Sequence, residues 1–91
     1  MALQWTTSAN RDLVRLHAFL HPFNPRAAAQ IVQQLVAAAE QLLTYPRLGE
    51  RLAEFDPREV RRLIVGDYEL RYELADTMIS VLRFWHCRED R

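Results

Sequence analysis

The residues best suited to chemistry in this sequence lie together near its C-terminus. His86 follows Arg83 by three residues and precedes Arg88 by two. Histidine can donate or accept a proton near neutral pH, and arginine can stabilise the charge of a phosphate transition state. This combination would suit RNA cleavage through the 2′-hydroxyl group. The alternative, which we favour, is that His86 closes the core and bonds a backbone carbonyl.

The other histidines and the single cysteine do not make a convincing catalytic or metal site. His17 and His21 have the four-residue spacing that can chelate a metal on a helix, but the sequence places no third ligand beside them. Cys87 directly follows His86, and neighbouring strand residues point to opposite faces, so their side chains diverge. With only two glycines, the chain has no phosphate-binding loop. We therefore predict no metal and no cofactor.

A second candidate is a binding surface on a β-sheet. Arg71 belongs to a predicted strand in which hydrophobic and charged residues alternate, so it faces away from the core. If Leu82 and Phe84 are buried on the last strand, Arg83 and Trp85 lie on the same open face as Arg71. An open face with arginine and tryptophan is typical of binding surfaces. A solvated face of cross-strand Arg–Glu pairs is the alternative, and both interpretations stay open.

Two helices are predicted to precede the sheet. Thr7 and Ser8 are both suitable N-caps for the first helix, which His21-Pro22 should end. Asn24-Pro25 supplies the N-cap and first-turn proline of the second. Hydrophobic residues then recur at helical spacing over five turns as far as Leu43. The hydrophobic face of the first helix is expected to contain Leu13, Leu16, Phe19 and Leu20.

The second half of the chain has the pattern of β-strands. Three strands are predicted: Val60 to Val65, Tyr68 to Leu74 and Met78 to His86. Gly66-Asp67 suits a tight hairpin, and glycine in first place indicates type II′. Leu3 to Trp5 should add a fourth strand, whereas the segment 50–57 looks irregular. The fold class predicted is α+β, an N-terminal helical hairpin packed on a mainly antiparallel sheet of three to four strands.

Length and charge limit the possible functions. Ninety-one residues allow a single domain, residues 1–91. Twelve arginines, with no lysine, balance twelve acidic residues. A net charge of zero argues against nucleic-acid binding, which needs a basic excess, and we predict no direct sequence-specific binding to DNA. We also predict no membrane association, because no hydrophobic run approaches ~20 residues. A lone cysteine and no recognisable signal peptide favour the cytoplasm.

Six short motifs occur in a characteristic order. They are Ala9 with Asp12-Leu13, Asn24-Pro25 with Ala28, Tyr45-Pro46-x-Leu48-Gly49, Arg58-Glu59, Tyr68-x-Leu70-Arg71-Tyr72 and Arg83-x-x-His86-x-Arg88. Together they resemble the ParE branch of the RelE/ParE superfamily, the toxins of type II toxin–antitoxin modules. The resemblance extends from about Trp5 to Asp90. It implies a helical hairpin on an antiparallel sheet, which agrees with the fold predicted from the patterns.

The resemblance also implies partners. A cognate ParD-like antitoxin would be disordered alone in part and fold on this surface. ParE-like members are similar to proteins that poison DNA gyrase, whereas RelE-like members cleave messenger RNA on the ribosome. The charge balance and the acidic pair Glu89-Asp90 favour DNA gyrase as the target. A ribosome-dependent RNase and a non-toxic antitoxin-binding module remain alternatives.

Each alternative assigns the site residues differently. A gyrase inhibitor needs no catalytic residue, and its expected target-binding residues are Arg83, Trp85, Arg88 and Arg58. The expected antitoxin-binding residues are Arg71, Arg83 and Trp85. An RNase would instead use His86, Arg83, Arg71 and Arg62 as its catalytic set.

Overall fold

The computed structural model describes residues 1–89. Its elements are strand β1 (Ala2–Trp5), helices α1 (Thr7–Leu20) and α2 (Pro25–Gln41), strand β2 (Glu50–Arg51), a 3-10 turn (Ala53–Phe55), and strands β3 (Glu59–Val65), β4 (Tyr68–Ala75) and β5 (Met78–His86). The two helices pack on one sheet of strand order β1-β5-β4-β3-β2. Only β1 runs parallel to its neighbour, β5. The α+β prediction is confirmed, with one strand more than expected.

The helix starts show how local sequence sets element boundaries. The N-cap of α1 is Thr6, whose side-chain oxygen accepts the Ala9 N–H at 3.0 Å, and not Thr7 or Ser8 as predicted. Thr6 still has an extended backbone, which an N-cap requires. The start of α2 is as predicted, because the Asn24 side chain accepts the Ala27 N–H at 3.1 Å. No helix within residues 1–89 combines the length and hydrophobicity needed to cross a membrane.

The core lies between the helical hairpin and one face of the sheet. It contains, among others, Leu16, Leu35, Leu42, Leu70, Tyr72, Val81 and Phe84. Phe19 is 69% exposed, so its predicted place on the buried face of α1 is wrong. Leu16 takes the position facing the sheet, and Phe19 lies on the flank of the helix with its ring 6.1 Å from that of Phe23.

The three C-terminal strands agree with the prediction to within one residue, but β5 contains a bulge. Arg71 of β4 lies opposite Arg83, and the next residue, Tyr72, lies opposite Val81, so Leu82 is an extra residue. A bulge reverses which face the following side chains occupy. Val81 is therefore fully buried and Leu82 only partly, which corrects the predicted burial of Leu82, whereas Phe84 is buried as expected.

A buried tyrosine anchors the loop between α2 and β2. The Tyr72 hydroxyl donates to the Pro46 carbonyl at 2.8 Å and accepts the Gly49 N–H at 2.9 Å. Gly49 lies so close to β3 that a Cβ atom there would be 2.6 Å from the Arg62 carbonyl oxygen. The loop thus leads into β2, a strand that periodicity did not predict because two residues are too few to show a period.

Candidate functional site

Three of the predicted site residues form a row across the sheet. Arg62, Arg71 and Arg83 lie directly opposite one another on β3, β4 and β5. Residues paired in this way share one face. Arg71 alternates along β4 with the core residues Leu70 and Tyr72, so this is the face turned away from the helices, which we call the outer face.

The structure does not bring His86 to this row. His86 pairs with Tyr68, and the two rings meet edge to face with centroids 5.1 Å apart. Tyr68 belongs to the core, so His86 lies on the helix-facing side of the sheet. The His86 Nδ1 accepts the Arg88 N–H at 3.1 Å, a backbone amide where we expected a carbonyl partner. The ring therefore already has a structural role.

Every arginine of the row has an acidic partner within the chain. The ion pairs are Arg62–Glu50 at 3.0 Å, Arg71–Glu69 at 3.1 Å and Arg83–Asp12 at 2.7 Å. Arg58 likewise donates two hydrogen bonds to Glu73, at 2.8 and 3.0 Å, which raise the pKa of Arg58. Arg62–Glu50 is a cross-strand pair of the kind that the paired-charge alternative predicted. Arg71–Glu69 instead lies within β4, and Arg83–Asp12 joins β5 to α1.

Aromatic rings and guanidinium groups alternate on the outer face. The Arg71 guanidinium carbon lies 5.5 Å from the ring centroid of Phe55 and 4.7 Å from that of Trp85. Arg83 lies 5.7 Å from the same Trp85 ring. Arg71, Arg83 and Trp85, the predicted antitoxin-binding set, are thus brought together. Trp85 is only 5% exposed, however, so it is not the open anchor we expected, whereas the Arg83 side chain is 49% exposed.

Asp12 completes this arrangement, although no site role was predicted for it from the sequence. Asp12 is on α1 and only 4% exposed. Its carboxylate accepts two hydrogen bonds from Arg83, at 2.7 and 3.1 Å, and one from the Phe84 N–H at 2.9 Å. The sequence feature that could have identified Asp12 is its position on the inward face of α1, between the buried residues Ala9 and Leu16.

The charge state of Asp12 follows from these contacts. Burial by itself raises the pKa of Asp12, but the hydrogen bonds from Arg83 and the Phe84 N–H outweigh it and hold that pKa below its ordinary value of 3.8. On the sheet, the hydrogen bond from Arg58 lowers the pKa of Glu73 below its ordinary 4.5. These carboxylates therefore stay ionised in the folded protein at neutral pH.

We expect stability to decrease in acid. A carboxylate whose pKa is lower in the folded state contributes stability that is complete above its unfolded pKa and is lost as the pH falls through the folded value. For Asp12 and Glu73 the loss begins as the pH approaches about 5 and continues below 3.8. Thermal melts between pH 7 and pH 3 should show a decrease in the melting temperature. The decrease should be smaller for Asp12→Asn than for the wild type. A melting temperature that is constant down to pH 3 would contradict this prediction.

A groove opens on the opposite side of the sheet, at the end of α1. It has a volume of about 530 Å³ and is mostly apolar. Its lining residues are Arg15, Leu16, Phe19, Leu20, Tyr68, His86, Arg88 and Glu89. Arg88 has no acidic partner among residues 1–89. Of the four predicted target-binding residues, Arg88 therefore lies in this groove, Arg83 and Trp85 contact each other on the outer face, and Arg58 pairs with Glu73.

The two helical histidines lie side by side at the end of α1. The His17 and His21 rings are 5.4 Å apart. Within residues 1–89, no group of three or more histidine, cysteine, aspartate or glutamate side chains is placed to hold a metal ion.

Comparison with known proteins gives consistent matches over nearly the whole chain. The family model described as the ParE toxin of the type II toxin–antitoxin system, parDE, matches residues 3–91. Toxin RelE2 of Caulobacter vibrioides is 35% identical over 82 residues, 90% of each chain. Toxin RelE1 of the same organism is 35% identical over 85 residues, 91% of this chain and 89% of the relative.

A solved structure shares the fold. It is described as the chromosomal ParDE TA system from P. aeruginosa, and its matching chain has a TM-score of 0.80 at 24% identity. The match covers 94% of this chain and 95% of that one.

Proposed function

Because the chain belongs to the ParE toxin family of type II toxin–antitoxin systems, we propose that it inhibits DNA gyrase in the cytoplasm and that a cognate ParD-like antitoxin neutralises it. The observation that carries the choice of gyrase is the separation of His86 from the arginine row. An RNase needs its acid–base group and its phosphate-stabilising groups around the same phosphate. Here the sheet lies between His86 and Arg71, since their side chains occupy opposite faces.

The charge distribution also favours a protein target over RNA. Binding to RNA requires cations that can neutralise phosphates. The arginines of the proposed RNase set are each paired with an acidic residue of the chain itself. A phosphate at these arginines would meet acidic side chains beside the guanidinium groups, which a free basic surface does not present.

The antitoxin would use the helix-facing groove together with the neighbouring edge of α1. Exposed Phe19 and Phe23 and the apolar groove offer surface for hydrophobic residues of a segment that folds on binding. Arg88 in the groove, and Arg83 beside α1, would pair with acidic antitoxin side chains. Of the predicted antitoxin-binding residues, Arg83 thus remains a direct contact in this proposal. Arg71 and the buried Trp85 would support Arg83 from beneath and would not touch the antitoxin themselves.

Messenger RNA cleavage remains the second candidate, because both relatives from Caulobacter vibrioides are named RelE toxins. The two activities are distinguished by adding the purified chain to a gyrase supercoiling assay and, in parallel, to translating ribosomes. We expect accumulation of cleaved DNA and intact message. Adding the antitoxin should abolish the effect on gyrase.

Replacing His86 separates the two mechanisms further. We expect His86→Ala to retain gyrase inhibition, because binding alone requires no proton transfer. His21→Ala, which changes an exposed histidine at the end of α1, is the matched control. If the chain instead cuts message, and His86→Ala in a folded protein slows that cleavage by ~10²–10⁴-fold, the RNase assignment is correct and ours is wrong.

A further inference from the structure

We propose that Asp12 is a positioning residue for partner binding, which holds the Arg83 guanidinium in the orientation that receives an acidic group of the antitoxin. This inference rests on the proposed function, because it requires an antitoxin. Asp12 does not line the groove and does not belong to the arginine row. It connects α1 to β5.

Strand β5 loses its neighbouring strand partway along its length. The β1 pairing ends with Trp5 opposite Val81. Beyond that point, side chains of α1 and its N-cap take the place of a strand. Thr6 Oγ1 donates to the Leu82 carbonyl at 2.9 Å, and Asp12 accepts the Phe84 N–H at 2.9 Å. Asp12 is therefore held at a defined position against the backbone of β5.

Asp12 binds Arg83 through two hydrogen bonds. Arg83 Nε donates to one carboxylate oxygen at 2.7 Å and Nη2 to the other at 3.1 Å. A two-point contact of this kind fixes the plane of the guanidinium, which a single contact does not. The hydrogen bond to Asp12 also raises the pKa of Arg83, so its charge is secure. The Trp85 ring, 5.7 Å away, limits movement on one side.

Arg83 keeps donors with which it can bind a partner. A guanidinium carries five N–H donors. Asp12 uses two of them, and the Arg83 side chain is 49% exposed. On the same helix as Asp12, Arg11 and Arg15 line a shallow depression. Arg15 pairs with Asp12 and Glu89, whereas Arg11 has no acidic partner among residues 1–89. The surroundings therefore favour an acidic group of the partner.

The expected effect of losing Asp12 is a modest loss of affinity. Holding a long side chain in its bound orientation removes an entropy cost from association. An asparagine at position 12 has one acceptor oxygen where aspartate has two. It therefore cannot accept both hydrogen bonds from Arg83 in the two-point geometry and also the one from the Phe84 N–H. We expect Asp12→Asn to bind the antitoxin about two- to tenfold more weakly.

A double-mutant cycle tests the inference. Binding of the co-expressed ParD-like protein would be measured by calorimetry for the wild type, Asp12→Asn, Arg83→Gln and the double variant. We expect Arg83→Gln to weaken binding and Asp12→Asn to have no further effect in the Arg83→Gln background. Glu50→Gln is the matched control, since it breaks the Arg62–Glu50 pair on the same face. Thermal melts of each variant would test whether it is folded.

A second measurement needs no antitoxin. The Arg83 Nε–H resonance in a ¹H–¹⁵N spectrum should be protected from solvent exchange in the wild type and lose that protection in Asp12→Asn. Absence of protection in the wild type would overturn the positioning role.

Three binding outcomes would also overturn it. Tighter binding by Asp12→Asn would make Asp12 a competitor of the partner. An equal loss in both backgrounds would mean that Asp12 acts only through folding. An unaffected Arg83→Gln would remove Arg83 as an anchor while leaving the proposed function intact. A wild-type chain that does not bind the antitoxin would instead refute the proposed function, and this inference with it.

Discussion

Replacing Leu35 with alanine is expected to lower the free energy of unfolding by about 2–5 kcal/mol. Leu35 is 1% exposed and lies at the centre of the α2 stripe, with Ala28 and Ala39 one to two turns away. The substitution removes hydrophobic contacts and leaves a cavity between the helix and the sheet. Domains of this size have only ~5–15 kcal/mol of stability in total, so the loss is a large fraction. Urea unfolding followed by circular dichroism measures it.

Gln41→Ala is the control for the Leu35 variant. Helical spacing predicts that Ala37 and Gln41 face outward, and the structure has both exposed. We expect Gln41→Ala to change stability by no more than ~0.5 kcal/mol. Leu35→Asp should be still more harmful than Leu35→Ala, because it buries a carboxylate. A Leu35→Asp protein with an unchanged melting temperature would show that the register of α2 is wrong.

Replacing Gly49 with alanine is expected to cost about 1–3 kcal/mol, the usual price of overpacking. The new Cβ would lie 2.6 Å from the Arg62 carbonyl oxygen and 2.9 Å from the Tyr72 ring. The carbonyl belongs to β3 and cannot move without disturbing the β2–β3 pairing. The loop would have to shift instead, which strains the Gly49 N–H contact with the Tyr72 hydroxyl. Thermal and urea unfolding would measure the loss.

Leu48→Ala is the control for the Gly49 variant, since Leu48 is the preceding residue and is exposed. It should have a much smaller effect on unfolding than Gly49→Ala. If the two variants were equally stable, the close approach of Gly49 to β3 would not be a stability determinant, and the P-x-L-G segment would require another explanation.

Much of the fold follows from local sequence. Asn24 and Pro25 determine where α2 begins, because a side-chain acceptor and a fixed φ angle act within one helical turn. Between β3 and β4, only Gly66 of the turn pair has a positive φ angle, as a type II′ turn requires. Alternation along β4 correctly placed Tyr72 in the core and Arg71 on the other face. Each of these features depends on residues a few positions apart.

The candidate site depended on contacts between distant parts of the chain. The sequence identified Arg62, Arg71 and Arg83 as candidates, but their alignment in a row comes from the pairing of three strands. It also identified Trp85 and His86, without showing that the tryptophan is buried or that the histidine faces the helices.

The bulge at Leu82 and the contact of Asp12 with Arg83 were decided by tertiary structure alone. The bulge reverses the face of every residue before it relative to those after it, and no local pattern reports where strand pairing slips by one residue. Asp12 and Arg83 are 71 positions apart, so only packing of α1 against β5 brings a buried carboxylate to that arginine. Local sequence patterns specified both helices, the longer strands and the residue types available for function. Packing determined which of those side chains are paired, buried or accessible, because these properties depend on neighbours that are distant along the chain.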